Sequence, residues 1–141
     1  KFKFSKPKVK GLDFSFSGLK TAVLYFLQKQ KKINPNFIEE NQADICASFQ
    51  KTVVDILMDK LKLAVTETGI NRIAIGGGVS ANSGIRNALK QAEIDLGWQS
   101  YIPKFEYCLD NAAMIAIVGY YKYLNKDFTD FTTTSKARLK L

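Results

Sequence analysis

One stretch constrains the fold of this chain more than any other: Ile73-Ala74-Ile75-Gly76-Gly77-Gly78-Val79-Ser80-Ala81-Asn82. Arg72 to Gly76 is a short β-branched, apolar run, the pattern of a strand buried on both faces in a parallel sheet. It runs straight into three glycines. A helical pattern follows from Ala81 to Leu96, with Ile85, Leu89 and Ile94 expected to face inward and Gly97 as its stop. Glycine removes the Cβ, so a ligand can approach the backbone closely and the chain can take positive φ. A helix N-terminus behind such a turn offers free N–H groups and partial positive charge to an anion. Ligands of open α/β sheets bind beyond the carboxyl ends of the strands, where this turn lies. Gly76, Gly77 and Gly78 are therefore candidate ligand-binding residues, with Ser80 and Asn82 adding side-chain donors and acceptors at the mouth. A purely structural reading also exists: a tight helix–strand turn with Ser80 or Asn82 as cap. Three consecutive glycines exceed what a cap requires. The turn matches neither GxGxxG nor the GxxxxGK phosphate loop, so the common dinucleotide and ATPase readings are weak.

The rest of the pattern supports an α/β class. Phe2, Phe4 and the alternation from Gly11 to Phe16 suggest short strands, with structural roles for Phe14 and Phe16. Leu19 to Lys29 reads as a helix with Leu19, Val23, Phe26 and Leu27 on one face, broken by Asn34-Pro35-Asn36. Asn41 to Thr68 is the longest helical signal, with Ile45, Phe49, Val53, Ile56, Leu57, Leu61 and Val65 at spacings of three and four and Gly69 as C-cap. Trp98 to Ile102 reads as a second strand before Pro103. Asp110 to Leu124 is a helix apolar almost all round, which predicts burial. Residues 126–141 read as a basic, threonine-rich tail. Helix and strand in alternation imply crossover connections in a parallel layer, and so few strands hint at others outside this chain.

Composition narrows the chemistry. The 141 residues contain no histidine, which excludes Ser-His-Asp and Cys-His catalysis within this chain and the HExxH zinc site. Cys46 and Cys108 are the only cysteines; two isolated thiols are no disulfide framework and suggest a reducing, cytoplasmic setting. No apolar run approaches the roughly 20 residues that cross a bilayer, so no membrane association is expected. The formal charge is +8, with Lys1, Lys3, Lys6, Lys8 and Lys10 at one end and Lys136, Arg138 and Lys140 at the other. Such a surface suits RNA, and equally suits plain solubility.

A second site candidate is Cys108-Leu109-Asp110-Asn111. Asp110 suits a helix N-cap, and its carboxylate also suits a metal ion. Alone it completes no metal site, because tight binding needs several ligands.

DFSFSGLKTAV (Asp13 to Val23), GGGVSANSGIR (Gly76 to Arg86) and YCLDNAAMIA (Tyr107 to Ala116) together resemble one family. It is the tRNA adenosine threonylcarbamoyltransferase family, TsaD or Gcp, with Kae relatives and the older name O-sialoglycoprotein endopeptidase. The resemblance covers most of Gly11 to Tyr123. It implies an actin-like, sugar-kinase and heat-shock ATPase (ribonuclease H-like) fold, with residues 1–125 as an incomplete C-terminal α/β lobe. It implies transfer of threonylcarbamoyl from its ATP-derived adenylate to the adenosine beside the anticodon of tRNA. By the same resemblance the glycine turn and Asn82 hold the nucleotide portion and Asp110 ligates an iron or zinc ion. The implied partners are tRNA, TsaB- and TsaE-like proteins and an N-terminal lobe. Three departures stand out. The family's HxxxH metal ligands and its opening strand with a phosphate-binding turn are absent here, and Leu109 stands where relatives commonly carry threonine. The resemblance therefore implies that this portion alone is inactive. Two other readings remain open: a metalloendopeptidase, and a non-catalytic RNA- or partner-binding module favoured by the charge.

Overall fold

The computed structural model describes residues 1–135. Lys136, Arg138 and Lys140 lie outside the described residues. In chain order the elements are α1 Ser17–Ile33, α2 Phe37–Thr68, β1 Arg72–Ala74, α3 Ser83–Leu96, β2 Gln99–Tyr101 and α4 Ala112–Leu124. Short 3₁₀ turns occupy Gly78–Ala81 and Phe105–Tyr107. β1 and β2 pair in parallel, with Arg72 opposite Gln99, Ile73 opposite Ser100 and Ala74 opposite Tyr101. Parallel neighbours need a crossover, and α3 provides it. The α/β class and the crossover agree with the sequence pattern.

Local chemistry sets the helix ends. The Asn36 amide donates to Asn34 Oδ1 at 3.0 Å, and this turn separates α1 from α2. α2 begins four residues before the expected Asn41 and kinks there, at φ −121° and ψ 15°. The Asn41 side-chain amide donates back to the Phe37 carbonyl at 3.0 Å, the local competition that bends helices at such residues. Gly69 and Gly97 close α2 and α3 in the left-handed conformation.

The main core gathers Met58 of α2, Ile73 of β1, Ile85, Leu89 and Ala92 of α3, and Trp98. Leu89 is fully buried. Ile94, expected to face inward, is 77% exposed. At about 100° per residue it stands about 140° round the helix from Leu89, and Ala92 takes the inward position instead. A second cluster joins Phe4, Leu19 and Ile56, with Phe2, Val23, Phe26 and Val53 against it.

The strands expected at Phe2, Phe4 and Gly11–Phe16 do not form. A strand needs a ladder partner, and among the described residues this segment has none. It lies on the helices instead. The Phe2 amide donates to Ser48 Oγ at 3.0 Å, Phe2 and Phe4 pack their rings against Phe26, and the Lys60 ammonium donates to the Val9 and Gly11 carbonyls. Phe14 and Phe16 are exposed.

α4 departs from expectation in the other direction. The sequence demands burial, yet none of its residues is buried among the described residues, and Ile115 is 76% exposed. The core forms from α1, α2, α3 and the sheet, and no described element covers α4.

One acid ties the crossover helix to the sheet. Glu93 of α3 accepts from the Ser100 hydroxyl at 2.6 Å and the Ser100 amide at 2.9 Å. These bonds hold its carboxyl below the usual 4.5. A depressed folded value means that the stabilisation is complete above the unfolded value and is lost as pH falls through the folded one. Urea unfolding between about pH 6 and about pH 3 is thus expected to lose stability more steeply in the natural chain than in Glu93→Gln. Identical slopes would remove Glu93 from the acid response.

Candidate functional site

The parallel register brings two loops together. The last ladder bond runs from the Ile75 amide to the Tyr101 carbonyl at 3.2 Å. Beyond it, β1 leads into Gly76-Gly77-Gly78 and β2 into Pro103 to Asn111, both from the carboxyl edge of the sheet. Between them lies a cavity of about 380 Å³, lined by Gly77, Gly78, Tyr107, Cys108, Leu109 and Asp110, with Met114 at its edge. The glycine turn and Asp110, 32 positions apart in the chain, thus share one cavity.

The three glycines differ. Gly77 holds φ 75° and ψ 175°, a region essentially closed to other residues. A Cβ on Gly78 would touch Leu109 Cδ2 at 3.4 Å, an ordinary contact. Among the described residues a Cβ on Gly76 would meet nothing within 4 Å, and its φ is not positive. Packing among these residues therefore gives no reason for glycine at position 76; room for a ligand to approach the backbone would be one.

Ser80 and Asn82 have other tasks. Ser80 is 3% exposed and its hydroxyl donates to the Gly77 carbonyl at 2.7 Å, so it braces the turn and does not stand at the mouth. The helix expected from Ala81 starts later: a 3₁₀ turn begins at the third glycine, spanning Gly78–Ala81, and α3 begins at Ser83. The amides immediately behind the glycines thus belong to the 3₁₀ turn. Asn82 caps α3, its Oδ1 accepting from the Ile85 amide at 3.1 Å. Its side-chain amide reaches Gln50 Oε1 at 3.4 Å, in a neighbouring hollow lined by Cys46, Phe49, Gln50, Val53 and Val54. Asn82 therefore stands outside the Gly77–Asp110 cavity.

Asp110 is exposed and does not cap α4. Asn111 takes that role, its Oδ1 accepting from the Met114 amide at 3.0 Å. Two adjacent residues were able to cap, and the helix starts one residue later than Asp110 requires. The carboxylate of Asp110 is left on the cavity wall. Among the described residues, no group of three or more His, Cys, Asp or Glu side chains is close enough to hold a metal ion. Asp110 accordingly fits a metal as one hard oxygen donor, not as a complete shell.

A larger apolar groove of about 850 Å³ runs between α1 and α2 up to Val79, lined chiefly by Phe16, Leu19, Val23, Phe49 and Leu57. It carries Ser17 and Lys20 but no cluster of reactive groups.

Arg86 is the residue that pattern reading left without a role. Its Nε donates to the Ser80 carbonyl at 2.7 Å, and one Nη donates to the Pro103 carbonyl at 2.7 Å and to Cys108 Sγ at 3.2 Å. The guanidinium lies 4.0 Å from the centre of the Phe105 ring. The only sequence signal was its place one helical turn after Asn82, on the side of α3 that faces back toward the glycines.

This arrangement offers backbone room for a phosphate or ribose at Gly77 and Gly78, with Gly76 outside the cavity lining, and one carboxylate across the cavity. Among the described residues, no hydrogen-bonded nucleophile–base pair spans the cavity, Cys108 Sγ being engaged with Arg86 and the Lys104 carbonyl. The family model described as tRNA N6-adenosine threonylcarbamoyltransferase matches residues 1–117. A protein of that name from Christiangramia forsetii is 65% identical over 139 residues, covering 99% of this chain and 41% of the relative. Those from Riemerella anatipestifer and Cytophaga hutchinsonii are 56% and 52% identical, each over 99% of this chain and 41% of the relative. The chain thus spans about two-fifths of the length of the curated relatives it matches. With a family model matching residues 1–117 and identity of this extent along nearly all of its length, the chain belongs to the tRNA N6-adenosine threonylcarbamoyltransferase family.

Proposed function

We propose that these residues form one wall of the active site of an enzyme that transfers threonylcarbamoyl from its adenylate to the adenosine beside the anticodon of tRNA. The observation that carries the reading is the shared cavity: Gly77 and Gly78 on one side, Asp110 on the other, at the carboxyl edge of two parallel strands. Residues 1–125 would be the C-terminal lobe of an actin-like, ribonuclease H-like fold acting in the cytoplasm, with 126–141 as its basic tail. The opposite wall would come from an N-terminal lobe.

In this reading the glycine turn receives the adenylate, because bare backbone at Gly76 and Gly78 lets its phosphate and ribose come close. Asn82 would act by fixing the start of α3, and so the turn that precedes it, or by reaching the ligand from the adjoining hollow. Asp110 would supply one oxygen ligand to an iron or zinc ion whose other ligands lie outside this chain. Such an ion contributes positive charge where negative charge develops in acyl transfer. The basic surface would meet tRNA, and TsaB- and TsaE-like proteins would assist.

The test uses the full-length protein containing these residues, with its partner proteins, ATP, threonine, bicarbonate and tRNA. Nucleosides from digested tRNA are analysed by mass spectrometry. Threonylcarbamoyl-adenosine is expected with the full-length protein and none with the 141-residue chain. Its absence with the full-length protein would sink the reading.

A further inference from the structure

We infer that Arg86 is a positioning residue that fixes the separation between the glycine turn and the Asp110 loop. What that separation serves rests on the function proposed above; the latch itself rests on geometry alone. The two loops lose the sheet ladder after Ile75 and Tyr101. From there a side chain joins them. Arg86 sits in the first turn of α3, half-buried, and its guanidinium binds the carbonyl of Ser80 on one loop and the carbonyl of Pro103 on the other, each at 2.7 Å.

Both ends of this link are themselves fixed. The Ser80 hydroxyl donates to the Gly77 carbonyl at 2.7 Å and the Ser80 amide to the same carbonyl at 2.9 Å, so holding Ser80 holds Gly77. On the other loop Arg86 also donates to the buried Cys108 sulfur at 3.2 Å and stacks on Phe105. The Cys108 thiol in turn contacts the Lys104 carbonyl at 3.4 Å. Asp110 follows two residues on. A run of contacts Gly77–Ser80–Arg86–Cys108 thus leads from the turn to the doorstep of the carboxylate.

Arginine is specifically suited to this. Its rigid fork can meet two carbonyls and a sulfur in one plane while its face lies on an aromatic ring, and bonds from a charged donor are stronger than neutral ones. Lysine carries the charge as a point with no plane, so it cannot reproduce the forked bonds to both loops together with the stacking on Phe105. A shift of about 1 Å between reacting groups can cost about 100-fold in rate, so a latch of this kind bears on turnover more than on binding.

The experiment uses the full-length protein with the thiols other than Cys108 replaced, Cys46→Ser included, and compares Arg86→Gln, Arg86→Lys and Phe105→Leu. Two quantities are read: the rate at which Cys108 reacts with a disulfide reagent, and kcat and KM for tRNA. Arg86→Gln is expected to lower kcat by about 10- to 100-fold, the range seen when groups supporting metal ligands are removed, and to speed Cys108 labelling, because exposure of the buried thiol outweighs loss of the cation beside it. KM for tRNA should stay within about twofold, since tRNA is held through its phosphates by the basic surface. Arg86→Lys should recover only part of the lost kcat. Phe105→Leu keeps every hydrogen bond of the latch and should give a smaller change of the same sign in both readouts. It carries the test if the Arg86 variants fail to fold by circular dichroism. Unchanged Cys108 labelling in folded variants overturns the latch. Faster labelling with unchanged kcat overturns the positioning role. An inactive parent protein refutes the proposed function instead, and the labelling still decides the latch.

Discussion

Gly77→Val is expected to destabilise the chain by about 2 kcal/mol and to weaken adenine-nucleotide binding by the full-length protein by about 100-fold, some 2.7 kcal/mol. The first effect follows from the backbone. At φ 75° and ψ 175° a residue with a Cβ is strained, and a β-branched one most of all. Strain at Gly77 is relieved by moving its carbonyl, which is the acceptor of both the Ser80 amide and the Ser80 hydroxyl. The turn would then lose its brace, and with it the position of Gly78 opposite Leu109. Gly76→Ala separates conformation from ligand room. Its Cβ meets nothing within 4 Å among the described residues, so urea unfolding should match the natural protein within about 0.5 kcal/mol. Calorimetric titration with nucleotide should nonetheless show weaker binding. If Gly76→Ala binds normally, the bare backbone at 76 is not there for a ligand.

What the sequence made legible was local, and what it hid depended on distant partners. Strand β1, the glycine turn and the stops at Gly69 and Gly97 were readable because β-branched runs and left-handed glycines declare themselves within a few residues. The inward face of α3 was readable at Ile85 and Leu89 but slipped at Ile94, because alanine at 92 carries too weak an apolar signal to compete with isoleucine. Phe2 and Phe4 suggested strands because alternation is the same whether a ladder partner exists or not; here their rings found α1 and α2. α4 shows the same limit. Its composition states a demand for burial without naming the surface that meets it. The shared cavity was not readable from spacing at all, since it depends on the pairing of β1 with β2. Arg86 was missed because its partners are backbone carbonyls, a sulfur and an aromatic face, which leave no trace in composition. At Asp110 and Asn111 the pattern offered two good caps side by side, and the start of α4 chose the second.

That choice makes the neighbouring pair a sharp test of the site. Asp110→Ala in the full-length protein is expected to lower turnover by about a thousandfold, close to 4 kcal/mol of transition-state stabilisation. Metal content measured by mass spectrometry should fall with it. Because Asn111 and not Asp110 receives the Met114 amide, losing the carboxylate should leave α4 and overall stability nearly untouched. Asn111→Ala should do the reverse, costing about 1 kcal/mol as a lost N-cap while the carboxylate of Asp110 and most of the turnover remain. A merely structural Asp110 predicts the opposite order, with the stability loss at 110. Asp110→Asn sharpens the comparison further: it keeps the size and polarity of the side chain but removes the charge that a cation needs. Full turnover with undiminished metal in Asp110→Ala would end the ligand assignment, and the cavity would then be a nucleotide site with no metal duty on this wall.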